Sequence, residues 1–164
     1  MAMVPATLID ALTGLWTNPP ESRSYTDTAD AIETLWQASA VGGSASSATI
    51  FTPQITYAPL SPVGGFPTAA DAAQAFENAC TALVAGTTFT PVPPATAISA
   101  PPGRLTASVG SLKDALKTIF EAPEAGTDAS VQATAIGNAI YTYLAGWEVD
   151  VTTPGPTVTA TPIV

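Results

Sequence analysis

The chain has no histidine and a single cysteine, Cys80. Those two absences remove much familiar reaction chemistry. Ser/His and Cys/His relays need an imidazole to take the nucleophile's proton, and zinc sites are built mainly from His and Cys. A lone cysteine forms no internal disulfide. Cys80 falls on the inner face of a helix with Phe76 and Leu83, so it reads as a small buried hydrophobe. Basic residues are almost as scarce: four Lys and Arg stand against thirteen acids, a net charge of −9. Four bases cannot neutralise a track of phosphates, and the acidic excess repels one. Only 10% of residues are charged, where about 25% is usual. Long apolar runs are missing too. The charge-free stretches 34–70 and 78–103 are broken by Pro53, Pro59, Pro62 and Pro67, and by Gly86, Pro91, Pro93 and Pro94. No window reaches the roughly twenty apolar residues of a membrane span. The first base is Arg23, so a basic n-region of a secretory leader is not seen, and synthesis in a reducing cytoplasm is expected.

Carboxylates are the remaining catalytic option. Asp27, Asp30 and Glu33 cluster at one helix start, Asp71 and Glu77 lie on a later helix, and Glu121, Glu124 and Asp128 surround a Pro/Gly turn. Acids in a first helical turn complement the helix dipole, and Asp27 and Thr68 suit the N-cap position. Glu121, Glu124 and Asp128 sit where a solvated loop is expected. None of these groups has the form of a glycosidase acid pair or a spaced calcium loop. The two VGG triplets, 41–43 and 63–65, lack the Lys-Ser/Thr that completes a phosphate loop. Lys113 and Lys117 read as a solvated helix face. The reading is therefore of a non-enzyme with no cofactor and no metal.

What the chain has in quantity is alanine, sixteen prolines, twelve glycines and repetition. LIDALTGLWTNP (8–19) recurs as LKDALKTIFEAP (112–123). Leu8, Asp10, Ala11, Leu12 and Pro19 return as Leu112, Asp114, Ala115, Leu116 and Pro123, and Leu15-Trp16 becomes Ile119-Phe120. Thr7 and Ser111 stand where each helix would be capped, three residues before an Asp. Leu8, Leu12, Leu15 and Trp16 make one apolar stripe, and the proline stops the helix. At the same offset, ADAIETLWQASAVG (29–42) lies over ATAIGNAIYTYLAG (133–146). A third version, AQAFENACTALVAG (73–86), sits sixty positions before the last. After two of these helices come similar codas, IFTP (50–53) and TFTP (88–91). Several offsets that preserve helix phase point to internal duplication.

The expected fold is all-α: two pseudo-symmetric helical hairpins plus a central helix, joined by extended Pro/Gly/Thr-rich straps. One helical domain spans 1–148, with 7–42 duplicated as 111–146. On the last helix Ile136, Ile140, Tyr143, Leu144 and Trp147 form a core stripe while Tyr141 faces elsewhere. Phe51, Tyr57, Phe66 and Phe89 lie on the straps, where each must bury itself against the chain's own helices or a neighbour. Residues 149–164 change to period-two patterning with a Pro-Gly-Pro bend, which favours an extended strand. Pro162 limits that strand to a sheet edge or a groove. With no sheet expected in the chain, 149–164 is read as a C-terminal arm that docks on a neighbouring chain through Val149, Val151, Val158 and Val164; the alternative is a tail folded back over the chain's own helices.

LIDALTGLWTNPP, PTAADAAQAFENACTALVAG, LKDALKTIFEAP and VQATAIGNAIYTYLAG together carry a resemblance. Short Ala-rich amphipathic helices ending in aromatic-x-x-Pro, joined by Thr/Pro/Gly straps, are similar to those of small structural virion proteins of contractile-tail bacteriophages. The resemblance implies a structural, non-catalytic subunit of the tail or baseplate, located in the virion after synthesis in the host cytoplasm. Its partners would be other virion proteins and its own copies in a symmetric ring, without nucleic acid or membrane. The alternatives are a capsid decoration protein and a free acidic protein-binding module such as a phage-encoded inhibitor.

Overall fold

A computed structural model describes residues 3–17, 25–38, 40–41, 45–51, 67–89, 96–98, 104–105, 111–122, 128–155 and 158–163. These residues form five helices: α1 (Pro5–Thr17), α2 (Tyr25–Gln37), α3 (Ala69–Ala85), α4 (Leu112–Phe120) and α5 (Ala129–Ala145). The described residues are mostly helical, with few strands.

Local chemistry sets several helix ends. Thr68 caps α3: its Oγ accepts from the Asp71 N–H at 3.1 Å and donates to Asp71 Oδ2 at 2.7 Å. Ser111 caps α4 by accepting from the Asp114 N–H at 3.2 Å. Asp128 Oδ1 accepts from the N–H groups of Ser130 and Val131 and caps α5. Each supplies an acceptor to an otherwise unpaired amide of the first turn. Two caps differ from the expectation. Helix α1 starts at Pro5, because proline is pre-organised for the first helical position and has no N–H to leave unpaired; Thr7 is therefore inside the first turn. Asp27 likewise lies in the first turn of α2, which starts at Tyr25.

The helices share one core, in which Leu8, Leu12, Trp36, Leu116, Ile140 and Leu144 are fully buried. Burying such a side chain contributes about 1.5–3 kcal/mol. Helix α1 packs most extensively on α5, and α3 on α4; the α1–α2 and α4–α5 contacts are smaller. Neighbouring helices thus run in the order α3, α4, α5, α1, α2, so the chain's first helix lies against its last. The α1/α5 crossing is close. A Cβ placed on Gly137 would come within 2.7 Å of Ile9 Cγ1 and 3.6 Å of the Ile9 backbone.

The all-α expectation is corrected by two small antiparallel sheets. In the first, β1 (Ala40–Val41), β2 (Ala45–Phe51) and β3 (Thr87–Phe89) lie in that order. Segments from the two similar codas pair with each other here: Phe51 lies opposite Thr87 and Ile50 opposite Thr88. In the second, β4 (Ala97–Ile98) and β5 (Arg104–Leu105) share one edge of β6 (Trp147–Thr152), and β7 (Val158–Pro162) runs along the other.

The sheet gives the C-terminal segment a partner within the chain. Strands β6 and β7 form a hairpin with Glu148 opposite Pro162 and Thr152 opposite Val158. Gly155 has φ +138° in the connection, a conformation that favours glycine. Val149, Val151 and Ile163 are buried in the chain's own core, and the Ile163 N–H donates to the Trp147 carbonyl at 3.1 Å. Period-two patterning and the edge position of Pro162 follow the expectation. The partner is different: the chain supplies its own sheet.

Candidate functional site

A connected polar region joins α3, α4 and α5. Glu77 projects from the middle of α3 to the start of α4. Its Oε2 accepts from Ser111 Oγ at 3.0 Å and from the Lys113 N–H at 2.8 Å. Lys113 is the second residue of α4, so its N–H has no carbonyl four residues earlier within the helix. A carboxylate there satisfies a donor and complements the positive end of the helix. One turn further along α3, Thr81 Oγ and the Tyr143 hydroxyl of α5 lie 2.8 Å apart. Burial raises the Tyr143 phenol above its ordinary range, the Thr81 hydrogen bond opposes the rise, and Glu77 and Cys80 add to it. Tyr143 also meets Trp147 edge-on, with ring centroids 6.1 Å apart.

Cys80, Asp128 and Glu121 make contacts within the chain. The Cys80 thiol is pushed up to about 12, first by burial and then by the nearby Glu77 carboxylate. It is a protonated core group at neutral pH, and only the thiolate is a strong nucleophile. Asp128 is held below the ordinary carboxylate range by the Ser130 hydroxyl and the Ser130 and Val131 amides. Lys117 Nζ pairs with Glu121 Oε2 at 2.9 Å on an exposed helix face. Among the described residues, no three His, Cys, Asp or Glu side chains converge as a metal site would require. No helix among them is long and apolar enough to cross a membrane.

A second junction ties α2 to β3. Trp36 Nε1 donates to Thr87 Oγ at 2.6 Å, and Thr87 Oγ donates to the Leu83 carbonyl at 2.7 Å. Both side chains are buried. The Phe89 ring meets Trp36 edge-on, with centroids 6.3 Å apart.

These contacts reassign several expected partner-binding residues. Phe89 is buried on the chain's own Trp36, and Val149 and Val151 are buried beneath the second sheet. The backbone of Phe51 belongs to β2 and that of Val158 to β7. The side chains of Phe51 and Val158, like Tyr57, Phe66 and Val164, lie outside the described residues, as does the Trp16 side chain. The expected α5 stripe is present: Ile136, Ile140, Tyr143 and Leu144 are buried and Trp147 packs at its end.

A groove of about 280 Å³ separates α4 from α5, lined by Ser111, Leu112, Ala115, Asn138, Ala139, Thr142 and Tyr143. Its described lining offers two hydroxyls, a phenol and an amide as polar groups. Glu77 and Gly137 were missed as special positions in the sequence. The available signal was their alignment at a sixty-residue offset, where one helix carries an acid and the other a glycine. Nothing short of the fold shows that Glu77 faces α4 and Gly137 faces α1.

Searches of family models, curated proteins and solved structures gave no match to this chain.

Proposed function

We propose that the protein is a structural subunit of a large protein assembly, a component of a bacteriophage tail or baseplate. The observation that carries the reading is the use made of its polar groups. Glu77, Ser111, Thr81, Tyr143, Trp36 and Thr87 link helices or helix and strand, while charged residues make up only 10% of the chain. Such a composition suits a surface that other subunits cover. The reading also draws on the resemblance to small virion proteins.

The finer architecture in this proposal is a duplicated hairpin with a related central helix. Element bounds support it: α2 starts at Tyr25 and α5 at Ala129, 104 positions later, while α3 and α5 each have 17 residues and start sixty apart. Buried positions follow the same offsets. Leu8 and Leu12 correspond to Leu112 and Leu116; Ala73, Phe76, Cys80, Leu83 and Val84 correspond to Ala133, Ile136, Ile140, Tyr143 and Leu144. Shared phase over several helices is the pattern that duplication leaves when each copy retains its core face.

Mass spectrometry of purified particles tests the function. A virion component appears at fixed copy number, and absence from intact particles rejects the proposal. The net charge of −9 supports the second reading, a free acidic module that binds a host protein. That reading predicts stoichiometric capture of one basic partner and no incorporation into particles. Localisation to the capsid would favour the decoration-protein alternative.

A further inference from the structure

Duplication creates a problem of placement. If α1 and α4 are copies of one helix, and α3 and α5 copies of another, each of the first pair has two similar surfaces on which to dock. In the structure α4 packs on α3 and α1 packs on α5. The contacts at equivalent positions differ in a way that separates the two choices.

Position 77 of α3 corresponds to 137 of α5 at the sixty-residue offset, and position 113 of α4 corresponds to 9 of α1 at the 104-residue offset. The structure brings both equivalent pairs together. Glu77 accepts from the Lys113 N–H at 2.8 Å, and the position of a Cβ on Gly137 lies 3.6 Å from Ile9 N. The same geometric contact is therefore made with different chemistry. We propose that Glu77 and Gly137 are the specificity-determining residues that assign α4 to α3 and α1 to α5. This proposal rests on the duplicated architecture and is independent of incorporation into a virion.

The difference follows from where each docked helix begins. Helix α4 starts at Leu112, so the Lys113 N–H belongs to the unpaired first turn and needs an external acceptor. Glu77 supplies it and also receives the Ser111 hydroxyl. Helix α1 starts earlier, at Pro5, so Ile9 lies within its backbone ladder. Ile9 needs space, and Gly137 supplies that. Exchanging the helices would press Ile9 onto the Glu77 carboxylate and would deprive the Lys113 N–H of its acceptor. A half-buried carboxylate desolvated by an apolar side chain and an amide that loses its acceptor are both unfavourable. The discrimination thus uses repulsion from the wrong helix as well as attraction to the right one.

Hydrogen exchange of the full chain, resolved by helix, tests the assignment. Glu77→Ala should accelerate exchange in 112–120 by about 5- to 30-fold, as expected for loss of one charge-assisted contact, while 5–17 stays within twofold of the parent. Gly137→Ala should accelerate 5–17 by a similar factor and leave 112–120 within twofold. Glu77→Gln, which retains an acceptor, should give an intermediate rate in α4 and keeps the test available if Glu77→Ala does not fold. Adding Ile9→Ala to Gly137→Ala should return α1 to the rate of Ile9→Ala alone, because the clashing carbon is gone. Gly14 is an exposed glycine in α1 with no atom within 4 Å of an added Cβ, and Gly14→Ala should accelerate neither helix. Equal acceleration of both helices by either slot variant, or no acceleration by both, overturns the assignment.

Discussion

Thr87→Val is a near-isosteric test of the junction between α2 and β3. The Thr87 hydroxyl accepts from Trp36 Nε1 at 2.6 Å and donates to the Leu83 carbonyl at 2.7 Å. Trp36 is 0% exposed and Thr87 1% exposed, so water cannot replace either bond without rearrangement. Valine keeps the volume and removes both. Leaving a buried donor unsatisfied costs about 1–3 kcal/mol, and a methyl cannot remain 2.6 Å from the indole nitrogen. The expected loss is about 2–3 kcal/mol. For a chain of this size that corresponds to a Tm lower by about 4–12 °C. Urea unfolding followed by far-UV circular dichroism should show a lower midpoint at unchanged m-value. The mechanism is separated from a general packing defect by repeating the substitution in Trp36→Phe, which has no N–H to strand. There Thr87→Val should cost at least about 1 kcal/mol less. Equal costs in both backgrounds, or a loss below about 0.5 kcal/mol in the parent, refute the reasoning.

Cys80 should resist thiol reagents in the native state at pH 8 and react once urea unfolds the chain, because burial pushes the thiol up to about 12; rapid native labelling would contradict its packing. Asp128 has a depressed pKa in the folded chain, so its cap stabilises α5 fully above the unfolded carboxylate range near ~4 and loses that effect as pH falls through the lower folded value. Asp128→Ala should lower stability at pH 7 and flatten this part of the acid dependence, which a urea series from pH 7 to 2.5 measures. Deleting 147–164 removes the buried Val149, Val151 and Ile163; at about 1.5–3 kcal/mol each against a typical total of about 5–15, the truncated chain should lose cooperative unfolding by circular dichroism. A truncated monomer that melts like the parent would restore the docking-arm reading.

Much of the helical framework was legible in the residues themselves. Leu8 and Leu12, Leu112 and Leu116, and Ile136, Ile140 and Leu144 announced their faces because a helix returns every third or fourth side chain to one side. Thr68 and Ser111 announced their caps because a hydroxyl just before a first turn can reach its open amides. The strand character of 149–152 and 158–163 was also readable, as alternation is a local property. Their partner was not. Val149 and Val151 carry the same pattern whether they pair with a neighbour or with the chain's own β7, and pairing depends on segments distant in sequence. Helix placement belongs to the same class of question. The sequence shows that segments 8–19 and 112–123 are alike; only the fold decided that α1 lies on α5 and α4 on α3. It did so through contacts between Ile9 and Gly137 and between Lys113 and Glu77, residues 128 and 36 positions apart. Local periodicity determines which face of a helix is buried, whereas its neighbour is determined by shape and hydrogen bonding across the packed interface.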